Sequence, residues 1–262
     1  MVLEKSEVFE INTPSLDLKA TIVSWDTKVF AFPVASINLI NIRERNEANK
    51  IFDTFTSWTK NQKVKLISCR LPHENILATM FLERHGFHFM EMVLHPTLSI
   101  VRSEIERANT LCVEKVLKHE VAIIADMAER AFSFERYHVD PRIDSKAANI
   151  RYGCWIKNTI FSDKQTLVKI SENHNIIGFF VIEEMPNNKV YWHLTALNPD
   201  YIGKGLGTDV WNAMIIYCEE LGAKHIMTTI SARNTPVLNL YSKLGFRFSP
   251  PEITLHWFGE TN

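Results

Sequence analysis

Gly203, Gly205 and Gly207 fall within five consecutive positions of a chain that otherwise uses glycine sparingly. Nine glycines in 262 residues is about half the usual share of ~7%, and only Gly86 precedes residue 153. Glycine loses the most backbone entropy on folding, so a cluster predicts positive φ angles or a close-approaching ligand. The cluster sits in the segment 197–209, between a β-rich run and a helical pattern. Successive N–H groups of such a turn, at the positive end of a helix dipole, suit phosphate or pyrophosphate. No Lys-Ser or Lys-Thr follows the last glycine, and the spacing is G-x-G-x-G, so neither a P-loop nor a dinucleotide fingerprint is present. Two further side chains have types suited to proton transfer. Tyr241 recurs at helical spacing with Val237, Leu240 and Leu244, and His193 lies four residues before Leu197 on a strand pattern. Strict alternation would put His193 on one face with Thr195 and Leu197.

The elements that must position these residues follow from periodicity and punctuation. Helices are expected over 116–131, 144–158 and 205–221, and strands over 165–170, 176–182, 190–197 and 225–230, with Pro186-Asn-Asn as a hairpin turn. A helix starts near Asn234-Thr235-Pro236, with Thr235 as the expected N-cap, and Gly245 ends it. The stretch from Asn75 to Phe87 matches that from Asn234 to Phe246 at a constant offset, each reading asparagine, helix, Gly-Phe, strand. In the first copy the strand is 64–68, the helix 76–84 and the next strand 87–94. The same offset sets the glycine cluster opposite Glu44 to Ala48 and Tyr241 opposite Leu82. The fold class is therefore α/β with a mixed sheet, in two related halves of about six or seven strands. The expected boundary lies near 110–118, dividing the chain into 1–114 and 115–262.

Bulk properties narrow the function. Lys plus Arg 29 against Asp plus Glu 30 gives a net charge of −1, with no positive excess for nucleic acid or anionic membrane. Four scattered cysteines without C-x-x-C indicate neither a zinc ribbon nor a disulfide framework, and no H-E-x-x-H occurs. No metal is expected. The opening residues lack an apolar run, and no stretch approaches the roughly 20 residues of a membrane span. These features predict a cytoplasmic protein, and a homodimer is the default oligomeric expectation.

The loop Ile202-Gly203-Lys204-Gly205-Leu206-Gly207, followed by Asn234, Tyr241 and Leu244-Gly245-Phe246, resembles the GNAT superfamily of acyl-CoA-dependent N-acyltransferases. The resemblance covers roughly residues 115 to 258, and Ile202 replaces the family's usual polar residue. It implies two GNAT-like halves, each a mostly antiparallel sheet flanked by helices, of which only the second keeps the acyl-CoA loop. It implies a V-shaped opening between the strand ending at Leu197 and the one near Ile230. Backbone groups of Ala196 and Leu197 would hold the pantetheine and polarise the thioester. Gly203, Lys204, Gly205, Leu206, Gly207 and Thr208 would hold the pyrophosphate, and Asn234 would contact the pantetheine. Acyl transfer to an amine needs a proton acceptor, an oxyanion site and a proton for the leaving thiolate. Tyr241, expected near a helix N-terminus, is the candidate acid; His193 is the candidate base, with a water relay as the alternative.

Trp25-Asp-Thr-Lys-Val-Phe resembles the opening of tandem GNAT nucleotide-sugar N-acetyltransferases, as does the segment from Arg136 to Arg142 followed by Trp155. The implied acceptor is the amine of a dTDP-linked amino-dideoxy sugar, as in cell-envelope polysaccharide synthesis. Trp25, Tyr137, His138, Asp140, Arg142 and Trp155 are the candidate substrate contacts, and acetyl or a longer or hydroxylated acyl group the implied cargo. Another small amine (amino acid, antibiotic or polyamine) and a non-catalytic CoA- or nucleotide-binding module are the alternatives.

Overall fold

Residues 7–100 and 111–259 are described by a computed structural model. Residues 1–6, read above as lacking a leader, and residue 110 of the expected boundary lie outside them. In chain order the elements are β1 (Val8–Asn12), β2 (Leu16–Ile22), α1 (Ser24–Phe30), β3 (Val34–Ile42), α2 (Arg45–Asn61), β4 (Leu66–Pro72), α3 (Ile76–Arg84) and β5 (His88–Ser99). There follow β6 (Cys112–Lys115), α4 (Val121–Ala131), α5 (Arg136–Val139), α6 (Ser145–Thr159), β7 (Gln165–Glu172), β8 (Asn175–Met185) and β9 (Lys189–Leu197). The last are α7 (Gly207–Glu220), β10 (His225–Thr228), β11 (Ile230–Ser231), α8 (Thr235–Lys243) and β12 (Arg247–Phe258).

The described residues gather into two compact units. The first draws on the described residues within Met1–Met92, Val139–Ala147 and Pro251–Asn262, and the second on those within Val93–His138 and Ala148–Pro250. In the first unit the strand order is β1-β2-β3-β4-β12, parallel only at β3/β4. Ala48, Phe52, Phe55 and Thr59 line one stripe of α2 at helical spacing. Ala48, Phe52 and Phe55 meet Phe81 and Leu82 of α3, Leu16 and Leu18 of β2 and Leu255 of β12 in one core. Phe52 and Phe81 meet edge-on at 5.2 Å, a geometry that favours the ring quadrupoles.

In the second unit β10, β9, β8, β7 and β6 follow one another from β5, parallel only at β10/β9. Trp192 of β9 and Ile182 of β8 pack on α7 and α8. Leu194 and Ala196 of β9, with Phe179 and Val181 of β8, pack on α4 and α6 instead. A mixed sheet flanked by helices is the fold class expected from the sequence.

The two units repeat fine details. Parallel pairing ends at Ile37↔Cys69 in one and at Trp192↔Thr228 in the other. The very next residue on the longer strand has no partner across the antiparallel neighbour: Asn38 opposite β2 and His193 opposite β8. Each is the extra residue of a β-bulge. Asn75 caps α3 through the Ala78 N–H, as Asn234 caps α8 through the Val237 N–H, and Gly86 and Gly245 share a φ of 81°. The N-cap of α8 is thus Asn234 and not Thr235, because the asparagine side-chain oxygen reaches the N3 amide.

The constant offset fails before the β4 and β10 strands. In the first unit β3 runs into α2 through Arg43 and Glu44 alone, whereas nine residues, Asn198 to Leu206, join β9 to α7. The glycines are therefore an insertion with no counterpart, and do not stand opposite Glu44 to Ala48. The Glu44 carboxylate accepts hydrogen bonds from the Asn46 and Glu47 N–H groups at 3.1 and 2.7 Å. A side chain of the chain itself meets the partial positive charge of α2.

Candidate active site

Beyond Trp192 and Thr228 the pairing of β9 with β10 stops, while β9 continues to Leu197. Thr228 Oγ1 donates to the Trp192 carbonyl at 2.9 Å at the point of divergence. This is the opening expected beside the strand that ends at Leu197. Ala196 and Leu197 lie along its far part, paired with Phe179 and Gly178 of β8.

The loop that follows carries Gly203 and Gly205 at φ values of 82° and 80°. An added Cβ would meet no atom within 4 Å at either glycine, so conformation rather than crowding explains their presence. The same φ keeps Gly205 out of the helix, and α7 starts at Gly207 instead of 205. Its N-cap, Leu206, offers no side-chain hydrogen bond. The first-turn amides of α7 thus lack the carboxylate that closes α2, and the donor set fits an anionic group. Lys204 Nζ lies 4.3 Å from the Tyr201 ring centroid, and Lys243 Nζ donates to Thr208 Oγ1 at 3.2 Å, adding positive charge at this end.

Tyr241 is 1% exposed and lies in the last turn of α8, which corrects the expected place near a helix N-terminus. Helical spacing with Leu240 and Leu244 turns it into the core under the sheet. Burial pushes its phenol above the ordinary tyrosine range, opposed in part by polar contacts with Thr195, Trp211 and Thr228. These three come from β9, α7 and β10, so the hydroxyl sits where the two strands part.

His193 does not share a face with Thr195 and Leu197. The bulge inserts His193 between Trp192 and Leu194 and shifts the alternation by one residue. Thr195 meets Tyr241 on the side of α7 and α8, while the His193 ring lies 6.3 Å from Trp155 of α6. Its Nε2 is 2.8 Å from Glu183 Oε2, and the Tyr191 ring stands edge-on at 4.7 Å. The indole of Trp155 donates to Gln165 Oε1 at 3.2 Å.

The other candidate substrate residues separate. Asp140 is 0% exposed, and its carboxylate accepts from the Arg142 N–H, Nε and Nη2 and from His256 Nδ1 at 2.8–3.1 Å. Those bonds fill the roughly four lone-pair sites of a carboxylate, which leaves Asp140 no capacity for a ligand and corrects the substrate role expected of it. Arg142 is committed to the same pair and lies over the Phe258 ring. Tyr137 is 2% exposed, with the Arg136 and Arg151 guanidinium carbons 4.6 and 4.8 Å from its ring centroid. It too is enclosed, so its ring cannot serve as an open platform. His138 bonds Asn149 at 2.8 Å and stacks on Tyr152, and burial holds its imidazole below the usual histidine range. Trp25 lies half-buried on α1 of the first unit.

Sequence reasoning missed Glu183, Thr195, Thr228 and Trp211. Only strand register brings the first three to His193 and Tyr241, and no local pattern announces it. Among the described residues no group of three or more His, Cys, Asp or Glu is placed to hold a metal ion, and no helix is long and apolar enough to cross a membrane.

A mixed sheet with a strand pair that parts beside a glycine turn and a buried tyrosine is the arrangement that the GNAT resemblance implies. Residues 124–246 match the acetyltransferase (GNAT) family. It is 20% identical to the spore coat polysaccharide biosynthesis protein SpsD of Bacillus subtilis over 224 residues, 85% of this chain and 76% of that one. A 91-residue stretch, 33% of this chain, is 31% identical to mycothiol acetyltransferase of Propionibacterium freudenreichii, of which it covers 28%. The fold superposes on a tandem GNAT protein from the clavulanic acid biosynthesis pathway with a TM-score of 0.61 at 10% identity, covering 96% of this chain and 86% of that one.

Proposed function

We propose that the second unit transfers an acyl group from acyl-CoA to the amino group of a dTDP-linked amino-dideoxy sugar, both substrates being bound together. The observation that carries acyl transfer is the uncapped glycine turn joined to a strand that parts from β10 beside the Tyr241 hydroxyl. In this reading the Gly203–Thr208 amides and Lys204 hold the diphosphate, the Ala196 and Leu197 backbone holds the pantetheine arm, and Asn234 contacts it. Asn234 spends its oxygen on the helix cap, so its amide N–H is the group that remains for the ligand. Acyl-CoA supplies the activated thioester.

His193 takes the proton released as the amine nitrogen bonds the acyl carbon, and Tyr241 gives its hydroxyl proton to the sulfur as the carbon–sulfur bond breaks. Both residues recover their resting protonation from water, so the net reaction is amine plus thioester to amide plus thiol. The substrate class rests on the Trp25 and Arg136–Trp155 resemblances, with the polysaccharide role in the name of the SpsD relative as support. Of the substrate contacts named from sequence, Trp155 beside His193 is retained and His138 of the same unit is proposed with it. The short match to mycothiol acetyltransferase favours the second reading, a different small amine.

Protein incubated with acetyl-CoA and a panel of amines, including dTDP-linked 3-amino and 4-amino sugars, should release free thiol with the nucleotide sugars. Release confined to non-sugar amines would overturn the sugar reading; no release, with no acyl-CoA binding by calorimetry, would overturn acyl transfer. Gly205→Val should raise KM for acyl-CoA about tenfold, since forcing a β-branched residue to φ 80° costs about 1–2 kcal/mol and ~1.4 kcal/mol is tenfold in affinity. An unchanged KM would remove the loop from the donor site.

A further inference from the structure

We propose that Glu183 is a positioning residue that fixes the His193 ring, with Nε2–H bound to its carboxylate and Nδ1 left as the proton-accepting atom. The inference rests on the acyl-transfer reading for its chemical meaning, but its structural content stands alone. An ionised carboxylate only accepts hydrogen bonds, so the 2.8 Å contact requires Nε2 to carry the hydrogen. A neutral imidazole has one such hydrogen, and Nδ1 therefore keeps its lone pair.

The strand geometry makes the pairing specific. His193 is the bulged residue, so its side chain is released from the alternation that governs Thr195 and Leu197. Glu183 lies one residue beyond Ile182, the last β8 residue of the buried run, on the face that carries Phe179 and Val181. Alternation from Tyr191, the partner of Glu183, carries His193 to the face of Glu183, and the extra residue sends Thr195 and Leu197 to the other face. The side chains of His193 and Glu183 are 21% and 20% exposed. Enough of the pair is shielded to hold one geometry, and enough is open to meet an amine. Tyr191 at 4.7 Å and Trp155 at 6.3 Å flank the ring and restrict its rotation.

When Nδ1 takes the amine proton the ring becomes a cation, with the Glu183 carboxylate 2.8 Å from its Nε2. Glu183→Gln keeps an accepting oxygen and removes the charge; Glu183→Ala removes both.

Nitrogen-15 imidazole spectra of the full chain, with His193→Gln to assign the signal, should show the Nε2–H tautomer in the wild type. Glu183→Ala should shift the signal toward a tautomer mixture and lower kcat at least about tenfold, in line with the loss of an orienting carboxylate, while KM for acyl-CoA stays within about twofold. Glu183→Gln should retain the tautomer with an intermediate kcat, and its thermal midpoint guards against a folding defect in the alanine variant. A wild-type Nδ1–H tautomer, or an alanine variant with unchanged tautomer and kcat, would overturn the proposal. If the wild type releases no thiol with any amine, acyl transfer fails, and the tautomer alone decides whether Glu183 positions the ring.

Discussion

Tyr241→Phe is expected to lower kcat by about 100-fold, or ~2.7 kcal/mol of barrier, within the range for a positioned acid. The substitution removes one oxygen from a side chain that is 1% exposed and leaves the ring in place against Phe246 at 4.7 Å. Stability should change by only about 1 kcal/mol, the net worth of a typical hydrogen bond. The two effects are separable by steady-state kinetics and urea denaturation on the same sample. Because burial raises the Tyr241 phenol, its acid form persists at neutral pH, and the alkaline loss of rate due to this group should lie above the ordinary value of about 10. An unchanged kcat in the phenylalanine variant would take Tyr241 out of proton donation.

Asp140→Ala is expected to destabilise the protein by about 3 kcal/mol or more, because it removes a buried carboxylate that both Arg142 and the 0% exposed His256 bond. Burial alone would raise the Asp140 carboxyl, but the hydrogen bonds from Arg142 and His256 prevail and hold it well below the usual carboxylate range. The folded value lies below the unfolded one, so this stabilisation is complete above the unfolded value of about 3.9 and is lost as pH falls below it. Denaturation at pH 7 should therefore separate the wild type and the alanine variant widely, and denaturation near pH 2.5 less so. Equal stability at pH 7 would show that the pair contributes only to local geometry.

The aspartate illustrates what a sequence hides. The segment from Arg136 to Arg142 is rich in charge and aromatics, and such composition reads as an open binding surface. Whether its acid meets a ligand or a histidine 116 residues away depends on the path of β12, which no local pattern encodes. Helix spans were more legible: 76–84 was read and found, since asparagine caps and Gly-Phe stops mark both ends. The start of α7 was read two residues early, because Gly205 takes a φ of 80° that a helix does not allow. The repeat was visible in its second part, where element lengths agree, and misleading near the glycines, where the second unit has nine connecting residues against two. His193 was found by type, but its face was not, since one unpaired residue in β9 inverts the pattern and leaves no mark in composition.

That single extra residue has a consequence for traffic through the proposed site. It makes β9 a partition, with the donor of a proton on one side and the acceptor on the other, in separate compartments of one sheet. In the proposed mechanism Tyr241 and His193 therefore approach the reacting carbon from opposite faces of β9, and each exchanges its proton with water on its own side.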